Sequence, residues 1–193
     1  MTYAKATLAT LKQSLADRHD GGVLPTSSAI LTFWTRLINR GVEYCADRLR
    51  LEKSKDYTTS GGTVALDSDF LIVNNVYNGD VLMYQVDKDR KEDQISGTYW
   101  ITGNHTDGFS LNTYEDDIYT VYYSFKPSPL SGDSDVCIIP DPEAPVAMAY
   151  SLLRKSETDP IEDADASMQE CDSRLNELIS AKNINDNFTG FTW

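Results

Sequence analysis

The hydrophobic residues of this chain recur at steps of three and four near both ends and at steps of two through the middle, and that change of period restricts the fold more than any other feature. Steps of three and four line up one face of a helix, whereas steps of two line up one face of a strand. Residues 4–18 place Leu8, Leu11 and Leu15 on a helical stripe with charges kept off it, which predicts a short amphipathic helix. Asp20-Gly21-Gly22 breaks it, and Pro25 followed by Thr26, Ser27 and Ser28 supplies N-cap candidates for a longer helix. There Ile30, Phe33, Trp34, Leu37, Ile38, Gly41, Val42, Cys45 and Leu49 form a wide apolar stripe, and Arg36, Arg40, Glu43, Asp47 and Arg50 occupy the rest. Phe33 and Trp34 on such a stripe are read as packing residues rather than as a ligand box.

From Ser60-Gly61-Gly62 the pattern becomes β-rich, with Gly, Asn and Asp as punctuation. Strands are predicted at Val64–Leu66, Phe70–Val76, Val81–Val86, Thr98–Thr102, Phe109–Leu111 and Ile118–Phe125, with a tight turn at Asn78-Gly79-Asp80. In the last strand Tyr119, Val121, Tyr123 and Phe125 share one face, which therefore needs covering. The prolines of Lys126-Pro127-Ser128-Pro129-Leu130-Ser131-Gly132-Asp133 close the β region. Helical spacing then returns. Residues 143–155 carry Pro145 in the first turn and are apolar nearly all round, as expected of the central helix of a bundle. Asp159-Pro160-Ile161-Glu162 resembles a capping box, and Ile161, Ala164, Met168, Cys171, Leu175 and Leu178 then form a seam for one neighbouring helix.

The predicted fold class is α+β: a bundle of about four helices, two N-terminal and two C-terminal, with an inserted antiparallel β domain and an extended C-terminal tail. The domain bounds read from the sequence are 1–56 with 141–182 for a discontinuous helical domain, 57–140 for the β-rich insert, and 183–193 for the tail. That tail places Phe188, Phe191 and Trp193 among polar residues. Each buried aromatic is worth roughly 1.5–3 kcal/mol, so the segment has two destinations open to it, its own domain or a partner protein. Phe33, Trp34, Leu37, Met168, Leu175 and Leu178 are candidates for packing within the bundle or between subunits.

Chemistry is sparsely provided. The only histidines, His19 and His105, lie in a Gly-rich turn and a Gly/Asn-rich loop and are expected at the surface, so a catalytic triad or a metal cluster has little to work with. Asp87-Lys88-Asp89-Arg90-Lys91-Glu92-Asp93 begins like a calcium loop, but Glu92 stands where glycine is required and three cations oppose the ion; a mixed-charge hairpin tip is expected. Glu115-Asp116-Asp117 could pair as acid and base, yet such residues suit the turn before a strand. No phosphate-cradling loop, nucleophile elbow or dinucleotide fingerprint occurs, and no catalytic residue, metal or cofactor is expected. Cys45, Cys137 and Cys171 are odd in number and widely spaced, which predicts buried free thiols. The first residues lack the apolar core of a signal peptide and no stretch is long enough to span a bilayer, so synthesis in the cytoplasm is expected and the sequons at Asn104 and Asn187 are discounted.

Three runs carry a family resemblance. They are Leu37-Ile38-Asn39-Arg40-Gly41 on the second helix, the entry to the sheet from Thr58 through Ser60-Gly61-Gly62 to Asp69-Phe70-Leu71, and Tyr122-Tyr123-Ser124-Phe125-Lys126-Pro127-Ser128-Pro129-Leu130. Asp133, Asp135 and Ile138-Ile139-Pro140 follow in order before the apolar helix. Over about residues 5–180 the chain resembles the head-to-tail adaptor (head completion, or connector) proteins of tailed bacteriophages, although Asp67 stands where that family usually has proline. The resemblance implies a virion neck protein that self-associates into a ring, commonly twelvefold. Such a ring joins the portal protein to stopper or tail proteins, and Phe188, Phe191 and Trp193 become candidate portal anchors. A stopper or tail-completion protein of the same neck is the nearest rival; an enzyme or a carbohydrate-binding β module using the tyrosine-rich strand with Tyr119 and Tyr123, and Trp100, Glu115 or Asp116, is a rival of another class.

Net charge fits a protein that does not grip nucleic acid. With 17 basic and 30 acidic residues the chain carries −13. The excess is uneven: residues 1–56 hold 9 Lys and Arg against 6 Asp and Glu, and residues 57–193 hold 8 against 24. Sequence-independent DNA binding needs the opposite sign. Either this is a solvated acidic surface or it lines a lumen through which genomic DNA slides without sequence-specific binding.

Overall fold

The computed structural model describes residues 5–157 and 161–188. The chain divides into two compact units, one formed by residues up to Leu49 together with those from Pro127 onward, the other by Arg50–Lys126. The class is α+β, with four helices and two sheets that are antiparallel but for one strand pair.

The helical unit holds α1 (Leu8–His19), α2 (Ser28–Leu49), α3 (Glu143–Ser156) and α4 (Ile161–Phe188). Helix α3 touches each of the other three. It does so with small side chains: Ala144, Ala147, Ala149 and Ser151 are buried, beside Pro145, Val146 and Leu153. The large buried residues come from its neighbours, among them Leu8, Leu11 and Leu15 of α1, Trp34 and Ile38 of α2, and Leu175 of α4. A tight backbone approach lies at Gly41, where an added Cβ would collide with the carbonyl oxygen of Pro145. Between α2 and α4, the buried thiols of Cys45 and Cys171 are 3.9 Å apart. Beside them the Tyr44 hydroxyl donates to Asp172 at 2.7 Å, and that bond pushes the tyrosine pKa up to about 12.

The segment from Pro127 to the start of α3 belongs to this unit rather than to the β insert, where the sequence placed it up to residue 140. Its backbone explains why. The Asn39 side chain on α2 donates to the Leu130 carbonyl at 2.9 Å and accepts from the Leu130 N–H at 2.8 Å, as a strand partner would. Further along, the carbonyls of Asp135 and Asp133 accept from the N–H groups of Leu8 and Ala9, which are donors that the first turn of α1 cannot satisfy internally. The Asp135 carboxylate holds that loop by accepting from the backbone of Ser131 and Gly132, at 2.7 and 2.9 Å.

The β unit has two four-stranded sheets. One runs in the order β1 (Glu52–Thr58), β8 (Ile118–Phe125), β3 (Phe70–Asn78), β4 (Val81–Leu82). The other runs β2 (Thr63–Ala65), β7 (Gly108–Thr113), β6 (Thr98–Asn104), β5 (Tyr84–Gln85). Residues of both sheets share one core, including Tyr57, Phe70, Val76, Tyr119, Val121 and Tyr123 from the first and Tyr99 and Leu111 from the second. The alternation read in 118–125 is the one observed, since Tyr119, Val121 and Tyr123 are fully buried. Their hydroxyls are provided for: Tyr119 donates to the Glu115 carbonyl at 2.8 Å and Tyr123 to Asp67 at 3.0 Å.

Four features of the elements depart from the sequence reading. Residues 52–58 form β1, paired along their whole length with β8, although charges at four of the first five positions hide a strand whose buried side chain is Tyr57. The single strand expected at Val81–Val86 is two short ones in different sheets, with Met83 buried between them at the crossing. Because β5 and β6 are parallel, the charged segment 87–93 is part of a crossover rather than a hairpin tip, with a 3-10 turn at Lys91–Asp93. Helix α4 also continues to Phe188, beyond the expected tail boundary at 183, and the capping-box residues Asp159 and Pro160 lie outside the described residues.

Replacing Gly41 with alanine sets a methyl group against backbone that cannot rotate away. The expected loss is about 3 kcal/mol or more, at the upper end of overpacking costs. Urea unfolding of the Gly41→Ala variant measures it; an unchanged midpoint would mean that α2 and α3 can part at no cost.

Candidate assembly surface

The residues singled out in the sequence fall into two groups. Trp34, Leu37, Leu175 and Leu178 are buried within the helical unit of a single chain, while Phe33 and Met168 are half-buried at its surface. Phe33 lies under the Arg36 guanidinium, 5.8 Å from the ring centroid. Phe188 ends α4, and Phe191 and Trp193 lie outside the described residues.

Phe33 borders an open groove of about 560 Å³ where α1 turns into α2 beside the end of α3. Val23, Leu24, Pro25 and Ile30 form much of its lining, with the buried edge of Trp34 below. Val23 is 69% exposed and Ile30 45%. Ile30 belongs to the apolar stripe expected to form the core face of α2, but in the first turn of the helix it is exposed and lines the groove. The sequence signal for the groove was the pair Val23-Leu24, apolar residues in a turn between Gly22 and Pro25 that no helix or strand claims.

His19 forms the polar edge of this groove and is not the surface histidine expected. Its Nε2 is 2.8 Å from Glu157 and its Nδ1 2.8 Å from Asp20, with the rings of Trp34 and Tyr150 edge-on at 6.0 and 6.5 Å. Burial opposes its charge, but the hydrogen bonds to Glu157 and Asp20 outweigh that and raise its pKa above the ordinary value. His105, by contrast, is exposed, edge-on to Phe109 at 5.0 Å.

A charged network that no apolar periodicity marks joins three helices. Arg18 of α1 forks onto Glu170 of α4 at 2.8 and 2.9 Å and reaches Glu143 of α3 at 2.9 Å. Glu170 also accepts from Arg174 at 2.9 Å, and Arg174 donates to the buried Asp141 at 3.0 Å. The hydrogen bond from Arg18 is the main reason that the Glu170 carboxyl is held down at about 2. One link was visible in advance, the Glu170–Arg174 spacing of four on a helix; the others join residues more than 30 positions apart.

The acidic turn of the β unit serves the backbone. Asp116 accepts from the N–H groups of Gly61 and Gly62 at 3.0 and 2.7 Å, and Asp117 accepts from Asn78 at 3.0 Å. Trp100 is half-buried on β6, and Tyr119 and Tyr123 lie inside the core rather than on a sugar-binding face. Among the described residues no group of three His, Cys, Asp or Glu is placed to hold a metal ion.

The Arg18–Glu170 link predicts a pH dependence. A carboxyl depressed from 4.5 to about 2 stabilises the fold fully above its unfolded value, and that contribution is lost as pH falls from about 4.5 toward 2. Because the Glu170 side chain is 37% exposed and its charge is screened by water, Arg18→Met should cost only about 1 kcal/mol at pH 7, and the difference from the parent should shrink as the pH approaches 2. Urea titrations at neutral and acid pH check this; a gap that stays constant would mean that Arg18 acts through packing alone.

No curated protein matches the chain. A family model described as SU10 adaptor protein matches residues 6–190, taking in the α1–α2 pair, the whole β unit, the linker bonded to Asn39, and helices α3 and α4. A match of that extent, over the same order of elements in which the adaptor resemblance was read, shows that the chain belongs to the SU10 adaptor protein family.

Proposed function

We propose that this phage adaptor protein works as a ring: copies assemble around the DNA channel of the virion neck and join the portal to the tail or to a stopper. The observation that carries this reading is the family match, which runs through both units. Two further features support it. Two of the three runs that carry the resemblance are structurally coupled, since Asn39 of α2 holds the Leu130 linker, and Gly41 beside it packs on the first turn of α3. The acidic excess over residues 57–193, 24 carboxylates against 8 cations, repels phosphate at short range and suits a passage that DNA crosses without sticking. No helix among the described residues is long and apolar enough to cross a membrane.

Electron microscopy of the purified protein mixed with its portal tests the proposal. The expected result is a closed ring coaxial with the portal. A protein that stays monomeric beside intact portal rings overturns it.

A further inference from the structure

The groove and the end of α4 lie at opposite ends of the helical unit. Arg154, in the last turn of α3, is 3.8 Å from Asp163, and Lys155 is 3.4 Å from Asp165, so α4 begins beside the end of α3 that borders the groove. It then runs back along α3, meeting Asp141 ahead of that helix through Arg174. Helix α4 has 28 residues and spans roughly 42 Å at 1.5 Å per residue. Trp193 is five residues beyond Phe188, and five residues reach at most about 18 Å when fully extended. Trp193 therefore falls short of its own groove by roughly 20 Å, and Phe191 by more.

We infer that the groove between the α1–α2 turn and the end of α3 receives Phe191 and Trp193 of a second copy of this chain. Groove and aromatic segment are complementary in kind: an apolar, open lining around Val23, Leu24, Ile30 and Phe33, and a polar segment that carries two aromatic side chains. Because the two surfaces differ and lie at opposite ends of one unit, the contact is head-to-tail. Contacts of that kind close into a ring when the rotation between copies fits. The inference rests on the ring proposed above and names the contact that links its subunits. It assigns these aromatics to a neighbouring copy, where the adaptor resemblance implies the portal.

Cross-linking within isolated rings tests it. Val23→Cys and Thr192→Cys place thiols at the groove and in the aromatic segment, whereas the native cysteines are buried. The two single variants are mixed, assembled with portal, purified as rings and treated with a short bismaleimide. The expected product is a dimer of the two variants; with the double variant, it is a ladder of multiples of the chain. Phe191→Ala with Trp193→Ala should reduce ring yield at least tenfold, and Ile30→Glu in the groove should do the same while leaving helical circular dichroism unchanged. Rings that give no cross-link between copies overturn the inference and leave the ring standing. So do rings in which Thr192→Cys joins the portal instead, and rings of the double variant that join within one chain. Failure of the parent protein to form rings overturns both.

Discussion

Backbone meets backbone where α2 crosses α3, and the helical unit is organised by that contact. Gly41 leaves no side chain between its helix and the Pro145 carbonyl, so the two backbones are in direct contact there. The closeness is possible because α3 is built of small residues on its buried faces. A thin central helix can touch three neighbours at once, and the volume is filled by leucines and a tryptophan reaching in from α1, α2 and α4. A larger residue at Ala144, Ala147 or Ala149 would overpack the side of α3 on which that alanine is buried. The nearly all-apolar pattern of α3 thus reflects contact on several sides rather than bulk.

Two polar devices then set direction. The side chain of Asn39 imitates a strand and seizes the backbone of Leu130, which fixes where the chain returning from the β unit rejoins the bundle. Arg18 forks onto Glu170 and reaches Glu143, so that α1 is keyed to α3 and α4 rather than merely packed on them. Apolar stripes tolerate sliding by a turn, whereas a bidentate pair of charges or a doubly bonded amide does not.

Elements whose stability comes from their own periodicity could be read in the sequence. The α2 stripe from Trp34 to Cys45, the alternation in β8, and Ala164, Cys171, Leu175 and Leu178 of the α4 seam each contain the pattern that buries them. What could not be read depends on partners distant along the chain. Strand β1 is an edge strand whose charges face water, so its strand character comes from β8, about 60 positions later. The break at Met83 follows from the two sheets pulling the segment apart. His19 looks like a turn residue until Glu157 and Trp34 arrive around it. Of the candidate assembly surface, the sequence marked Phe33 but took Ile30 for core, because helical periodicity says which side of a helix is buried and nothing about where the bundle ends.

The β unit closes off one route to self-association. The edges of its sheets are β1, β4, β2 and β5. The last three are two or three residues long, and β1 carries Glu52, Lys53, Lys55 and Asp56. Lys53 and Lys55 are engaged by Asp69 and Asp67, each at 2.6 Å, so a second copy pairing there would have to displace ion pairs along the strand. Short and charged edges are the means by which sheets avoid joining edge to edge. In a protein proposed to meet many copies of itself, that leaves ordered self-association to side-chain surfaces rather than to strand edges. A contact between helical surfaces is set by side-chain shape and can stop at a closed ring; a strand edge, once extended by another strand, presents a new edge and continues.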